Sequence, residues 1–300
     1  DGHGHGTHVA GSILAMGGDD GLGIYGVAPQ ADLLAIKVLF DDGGGYGDDV
    51  VMGVYEAVDR GADIISMSLG SEDASTAFRD AVAYAALNNV LLVAATGNYY
   101  DGTETMHYPG AYKEVVGVGA VDVSKNVATF SILGFADDGD DSTIAEGEIE
   151  FAAPGVSVES SYLNERYALM SGTSMATPHI AGLAAKLWQG DALGTRYYLR
   201  TLAQDISDSG YDRKTGYGIQ VAPVFECNLG ELECDGACLM PLCSSDVDCD
   251  DNIETTADFC LSPGTCEASC EDPFSQVSVC GDKLCSLDES WATCPRDCKK

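Results

Sequence analysis

Ser171-Gly172-Thr173-Ser174-Met175-Ala176-Thr177-Pro178-His179, running on as Ile180-Ala181-Gly182-Leu183-Ala184-Ala185, is a Gly-Thr turn that delivers a serine to the start of a small-residue helix ending near Trp188. A serine at that position is ordinarily a cap. The same position turns free N–H groups and the positive end of the helix dipole toward an incoming carbonyl oxygen. Upstream, the text alternates short apolar runs with amphipathic ones. Leu33–Leu39, Ile64–Met67, Val90–Ala95 and Val115–Val121 are rich in Val, Ile and Leu, as strands buried on both faces should be. Between them, Asp49–Arg60 and Thr76–Asn88 carry apolar residues at helical spacing, with Val50, Val54, Ala57 and Val58 on one stripe. This alternation predicts an α/β domain on a mainly parallel sheet with helices on both faces.

Composition narrows the possibilities. The 300 residues carry 48 acids against 15 bases, a formal charge of −33, so a phosphate backbone would be repelled and nucleic acid is not an expected partner. No apolar run reaches the roughly eighteen residues of a membrane span. The acid surplus is compatible with a solvated surface, with calcium binding or with adaptation to high salt. All twelve cysteines fall within 227–300, a density that marks a small, secreted, disulfide-stapled module. The expected organisation is an α/β domain at 1–223 followed by a Cys-rich extension at 224–300. With no Cys-x-x-Cys and no histidine after His179, disulfides are favoured over zinc in that extension. The chain opens on Asp1 directly before a glycine-rich motif, without a leader, which reads as an internal piece of a longer chain.

Two further motifs bear on chemistry. His5-Gly6-Thr7-His8-Val9-Ala10-Gly11 sets His8 near the start of a helix with small residues behind it. Val90 to Ala95 leads into Thr96-Gly97-Asn98, an apolar strand ending at a side-chain amide, where the crevice of an open α/β sheet forms. Asn98 there is either a turn residue or an amide aimed at an oxyanion. In order along the chain, the histidine block, Ser68-Leu69-Gly70, Ala95-Thr96-Gly97-Asn98 and the serine block resemble the subtilisin-like serine proteases. The connecting phrases Gly26-Val27-Ala28-Pro29, Tyr108-Pro109-Gly110 and Ala153-Pro154-Gly155 extend that resemblance over roughly Gly4 to Val221.

The resemblance implies a secreted serine endopeptidase acting on protein or peptide substrates. Ser174 would be the nucleophile, His8 the general base and Asn98 the oxyanion donor. The aspartate that orients the histidine in this family lies a few dozen residues earlier, so it is expected outside this sequence. Ser68, Leu69 and Gly70 would form one wall of the substrate pocket, and Ala95, Thr96 and Gly97 the other. Gly44 and Gly45 would lie along the edge strand that pairs with substrate. His107 falls where the family has the pocket floor, unless it is an exposed loop residue. Asp19 to Ile24 resembles a calcium loop, with the Asp20 side chain and the carbonyls of Leu22 and Ile24 as hard oxygen ligands for Ca²⁺. Asp137–Asp141 reads as an acidic insertion. The tail, with Cys280-Gly281-Asp282 and Cys294-Pro295, resembles short repeats of secreted prokaryotic proteins and would serve a partner of its own. The rival reading is a catalytically inactive fold of the same kind, serving as a binding scaffold through that tail.

Overall fold

The computed structural model describes residues 1–17, 23–98, 105–135 and 143–220, together with the backbone of four short strands beyond them. Asp20 and Leu22, the acidic stretch Asp137–Asp141 and most of the Cys-rich extension lie outside the described residues. Two units divide the chain, Asp1–Ala222 and Pro223–Lys300. Along the first run α1 (His5–Leu14), α2 (Gly47–Asp59), β1 (Ile64–Met67), α3 (Thr76–Leu87), β2 (Leu91–Ala95), β3 (Val115–Val121), β4 (Phe151–Pro154), β5 (Val158–Tyr162), β6 (Arg166–Met170), α4 (Thr173–Lys186), α5 (Ala192–Thr201), β7 (Ala203–Gln204) and β8 (Ile219–Gln220). In the second, β9 (Leu232–Cys234) pairs antiparallel with β10 (Ala237–Leu239), and β11 (Phe259–Leu261) with β12 (Ser269–Glu271), which sets Cys260 opposite Cys270 in register.

A six-stranded sheet in the order β1-β2-β3-β4-β8-β7 forms the centre of the first unit, parallel throughout except for β7 against β8. Every residue of β2 is buried because consecutive side chains serve opposite cores. Leu92 and Ala94 pack with Val50 and Val54 of α2 and with Phe78 and Ala81 of α3. Leu91 and Val93 pack with Ala176 and Ile180 of α4 and Leu199 of α5. Helices therefore cover both faces, and each fully buried Leu or Val contributes about 1.5–3 kcal/mol relative to exposure.

Three helices, α1, α3 and α5, begin where a side chain supplies acceptors for free N–H groups. Ser75 Oγ accepts from Phe78 N at 3.1 Å ahead of α3, and Asp191 Oδ1 from Gly194 N at 2.7 Å ahead of α5. Asp1 does this for α1: its carboxylate accepts from Gly4 N at 3.0 Å, Thr7 N at 2.7 Å and Thr7 Oγ1 at 2.9 Å. A negative charge at that end also suits the helix dipole.

Leu33–Leu39, expected as a strand, is not one. It carries no ladder, and Leu33 is 57% exposed. Strand character depends on a neighbour to bond with, and none lies beside this segment among the described residues. Instead, Leu34, Ile36 and Val38 look across an open groove of about 800 Å³ at Ile64, Ile65 and Met67. β1 is consequently the edge of the sheet.

Two features had no signal in the sequence. The β5–β6 hairpin turns through Asn164 and Glu165, both at positive φ, and lies against α1, where Ser160 Oγ donates to His8 O at 2.7 Å. Glu150, just before β4, is fully buried. It accepts from Arg196 Nε at 2.8 Å and Arg200 Nε at 2.7 Å, while Arg200 also stacks 5.0 Å above the Tyr217 ring. That charged knot ties α5 to the sheet.

Candidate active site

Ser174 sits in the first turn of α4, where backbone N–H groups have no carbonyl four residues back within the helix. Four residues on, Pro178 lies inside the helix and has no N–H to give to the Ser174 carbonyl. Ser68 supplies the missing donor: its Oγ donates to Ser174 O at 2.7 Å, and Ser174 Oγ donates back to Ser68 O at 3.3 Å. The segment after β1 thus holds the serine from both its backbone and its side chain.

Asn98, beyond the end of β2, is fixed in one orientation. Its Oδ1 accepts from Thr173 N at 2.9 Å and from Thr173 Oγ1 at 3.2 Å. With the oxygen so engaged, the amide nitrogen is left to donate elsewhere. Thr173, read from the sequence as part of the Gly-Thr turn without a role at the site, is the residue that aims the amide. Its location immediately before Ser174 was the available signal.

Leu69, Gly70, Ala95, Gly97, Asn98, His107, Thr173 and Ser174 enclose one cavity of about 210 Å³. The structure thus brings together most of the residues expected at the pocket. His107 is wedged between two glycines. A Cβ on Gly97, whose φ is +106°, would lie 2.8 Å from the imidazole, and one on Gly70 would lie 2.9 Å from His107 Cβ. The histidine backbone is fixed as well, donating to Thr96 O at 2.9 Å and accepting from Ala111 N at 3.0 Å. His107 Nε2 is buried and has no hydrogen-bond partner among the described residues. Next to it, Tyr108 OH donates to Glu146 Oε1 at 3.0 Å, and Arg79 of α3 grips the same carboxylate through Nη1 and Nη2 at 3.0 and 2.8 Å. The Arg79 hydrogen bonds hold the Glu146 carboxyl below its ordinary range, while burial pushes the Tyr108 phenol up.

His8 is fully buried in α1 and makes no hydrogen bond to Ser174. Its Nε2 is 3.0 Å from Val158 O and 3.1 Å from Ala168 O, the two strands of the β5–β6 hairpin. Two carbonyl neighbours require a proton on Nε2. Nδ1 is buried with no partner among the described residues. His179 donates from Nδ1 to Met175 O at 2.8 Å within its own helix, and burial pushes its imidazole down.

The remaining expected residues lie elsewhere. Thr96 is fully buried and donates to Val118 O, so it faces the core and not the cavity. Gly44 and Gly45 follow a tight turn at 41–42, with Phe40 N donating to Gly44 O at 2.7 Å, and no edge strand forms there. The Ile24 carbonyl accepts from Gly17 N at 2.8 Å, which engages one of its lone pairs.

Known proteins resemble this chain in sequence and fold. The model of the subtilase family matches residues 1–218. The chain is 42% identical over 242 residues to a subtilisin from Bacillus sp. (strain TA39), covering 75% of this chain and 56% of that relative. It is 41% identical over 228 residues to subtilisin DY of Bacillus licheniformis, covering 74% and 78% of the two. Among solved structures, sphericase superposes with a TM-score of 0.69 at 43% identity, over 73% of this chain and 77% of that one. The chain spans just over half of the first of these relatives. With the family model, these relatives and the shared parallel sheet in agreement, the chain belongs to the subtilase family of serine peptidases.

Proposed function

We propose that this chain is the peptidase portion of a secreted serine endopeptidase that cleaves protein or peptide substrates through an acyl-enzyme on Ser174. The observation that carries the reading is the pairing of Ser174, at a helix N-terminus, with an Asn98 amide whose oxygen is occupied and whose nitrogen is left for a substrate oxyanion. In this reading Ser174 Oγ attacks the carbonyl carbon, and the resulting O⁻ is held by the Asn98 amide and the Ser174 N–H. His8 takes the serine proton and returns it to the leaving amine.

The buried Nδ1 of His8, unpartnered among the described residues, supports a place for an orienting carboxylate. Such a carboxylate would draw the ring proton to Nδ1 and leave a bare lone pair on Nε2. That lone pair cannot face the carbonyls of Val158 and Ala168, so the ring would leave the hairpin and become available to Ser174. The rival reading, an inactive scaffold, draws on the same observation, since His8 makes no hydrogen bond to Ser174 here. Labelling the full-length protein with a fluorophosphonate separates them. Modification at Ser174, abolished by Ser174→Ala, is the expected result; an unlabelled but folded protein would establish the scaffold reading.

Calcium belongs to the same proposal. The Asp20 carboxylate and the carbonyls of Leu22 and Ile24 would supply all-oxygen donors of the kind that suits a hard cation. A metal bound only to the native state raises stability by RT ln(1 + [L]/Kd). Chelation should therefore lower the Tm of the full-length protein, and Asp20→Ala should remove that sensitivity. Secretion rests on the cysteine density of 227–300, where disulfides are proposed to staple the extension.

A further inference from the structure

From the cavity beside Ser174 we infer that the enzyme selects a substrate residue with a carboxylate or carboxamide tip, Glu or Gln, immediately before the scissile bond, and that His107 makes the selection. This rests on the peptidase reading and names the substrate class for the same site. The walls are apolar or backbone: Leu69 and Ala95 present aliphatic surface, and Gly70 and Gly97 present no side chain. At the mouth, Ser174 and Asn98 are committed to the reaction, and Thr173 Oγ1 is committed to Asn98. Among the described lining residues, His107 Nε2 is the one polar side-chain atom that is buried and unpartnered.

A buried polar atom without a partner is costly, and a ligand that satisfies it recovers that cost on binding. The absence of a Cβ on Gly70 and Gly97 makes room for the histidine, and two backbone hydrogen bonds hold its main chain at that place in the lining. An imidazole Nε2–H donates to a carboxylate or carboxamide oxygen. A phenyl or aliphatic tip would bury Nε2 more deeply and leave it unsatisfied. The imidazole also fills floor volume that a large aromatic side chain would need.

The test is a series of peptides that differ only in the residue before the scissile bond, Glu, Gln, Leu or Phe, hydrolysed by the full-length protein and by His107→Gly and His107→Leu. The native protein should favour Glu and Gln over Leu and Phe by about tenfold or more in kcat/KM. His107→Gly should reverse the order in favour of Phe. His107→Leu, which fills a similar space and guards against collapse of the glycine variant, should lose the Glu and Gln preference while keeping Leu. A binding arm keeps this independent of catalysis: Kd values for product peptides ending in the same four residues, measured on full-length Ser174→Ala, should follow the same order. A native preference for Phe or Leu in both arms, or profiles unchanged by both substitutions, would overturn the role of His107. Absent hydrolysis with the binding order intact would count against the peptidase reading alone.

Discussion

Ser68 and Pro178 should be energetically coupled although neither touches the other in the hydrogen-bond pattern. Pro178 withholds the N–H that would bond Ser174 O, and Ser68 Oγ fills that vacancy at 2.7 Å. Ser68→Ala leaves the partly buried carbonyl without a donor, which costs about 1 kcal/mol, the usual net value of one hydrogen bond. For a domain of this size that corresponds to a Tm lowered by about 2–4 °C. Pro178→Ala restores a main-chain donor at the right place, so Ser68→Ala in that background should cost little. The relief proline gives by restricting the unfolded chain, about 0.4–1 kcal/mol, appears on both sides of the cycle and cancels. Thermal or urea unfolding of the four proteins should give a coupling of about 1 kcal/mol, above the roughly 0.3–0.5 kcal/mol scatter of independent sites. Equal costs for Ser68→Ala in both backgrounds would show that Ser68 does not replace the missing helical bond.

Glu150→Ala should be among the most damaging single changes, because it strands Arg196 and Arg200, which are only 11% and 15% exposed. The expected loss is about 3–5 kcal/mol by denaturant unfolding; a variant within 1 kcal/mol of native would mean that the pair is solvated. Glu146 gives a pH signature. Its carboxyl is depressed in the fold by Arg79, so its contribution is complete above the ordinary carboxylate range and is lost as pH falls through the folded value. Arg79→Ala should flatten that acid limb of stability, and an unchanged profile would assign the limb to other carboxylates. Asn98→Ala should lower kcat of the full-length protein by about 10²–10³ with little change in KM, the range known for a subtilisin oxyanion donor. A loss confined to KM would place the amide in ground-state binding.

What the sequence disclosed was largely local. Buried strands such as Val115–Val121 and the helix behind Ser174 could be read because their apolar pattern is a property of the segment itself. Leu33–Leu39 has the same composition yet forms no ladder, since a strand also needs a partner at hydrogen-bonding distance. Glu150 finds its arginines 46 and 50 positions away, a separation that no window of residues exposes. Within the site, the grouping of Ser174, Asn98 and His107 around one cavity was legible, but not the direction of His8. That direction is set by carbonyls 150 and 160 positions further on, in a hairpin without a hydrophobic signature.

The uncovered side of β1 has a consequence for handling the protein. Among the described residues no strand pairs with the outer side of Ile64-Ile65-Ser66-Met67, which lies beside an apolar trough and has none of the lysines or prolines that usually blunt such an edge. A sheet terminated in this way templates addition of a strand from another molecule. Residues 1–300 produced alone should therefore self-associate with rising concentration, through backbone pairing and not through the strongly acidic surface. Added salt, by screening a charge of −33, should accelerate the association where simple charge attraction would be weakened.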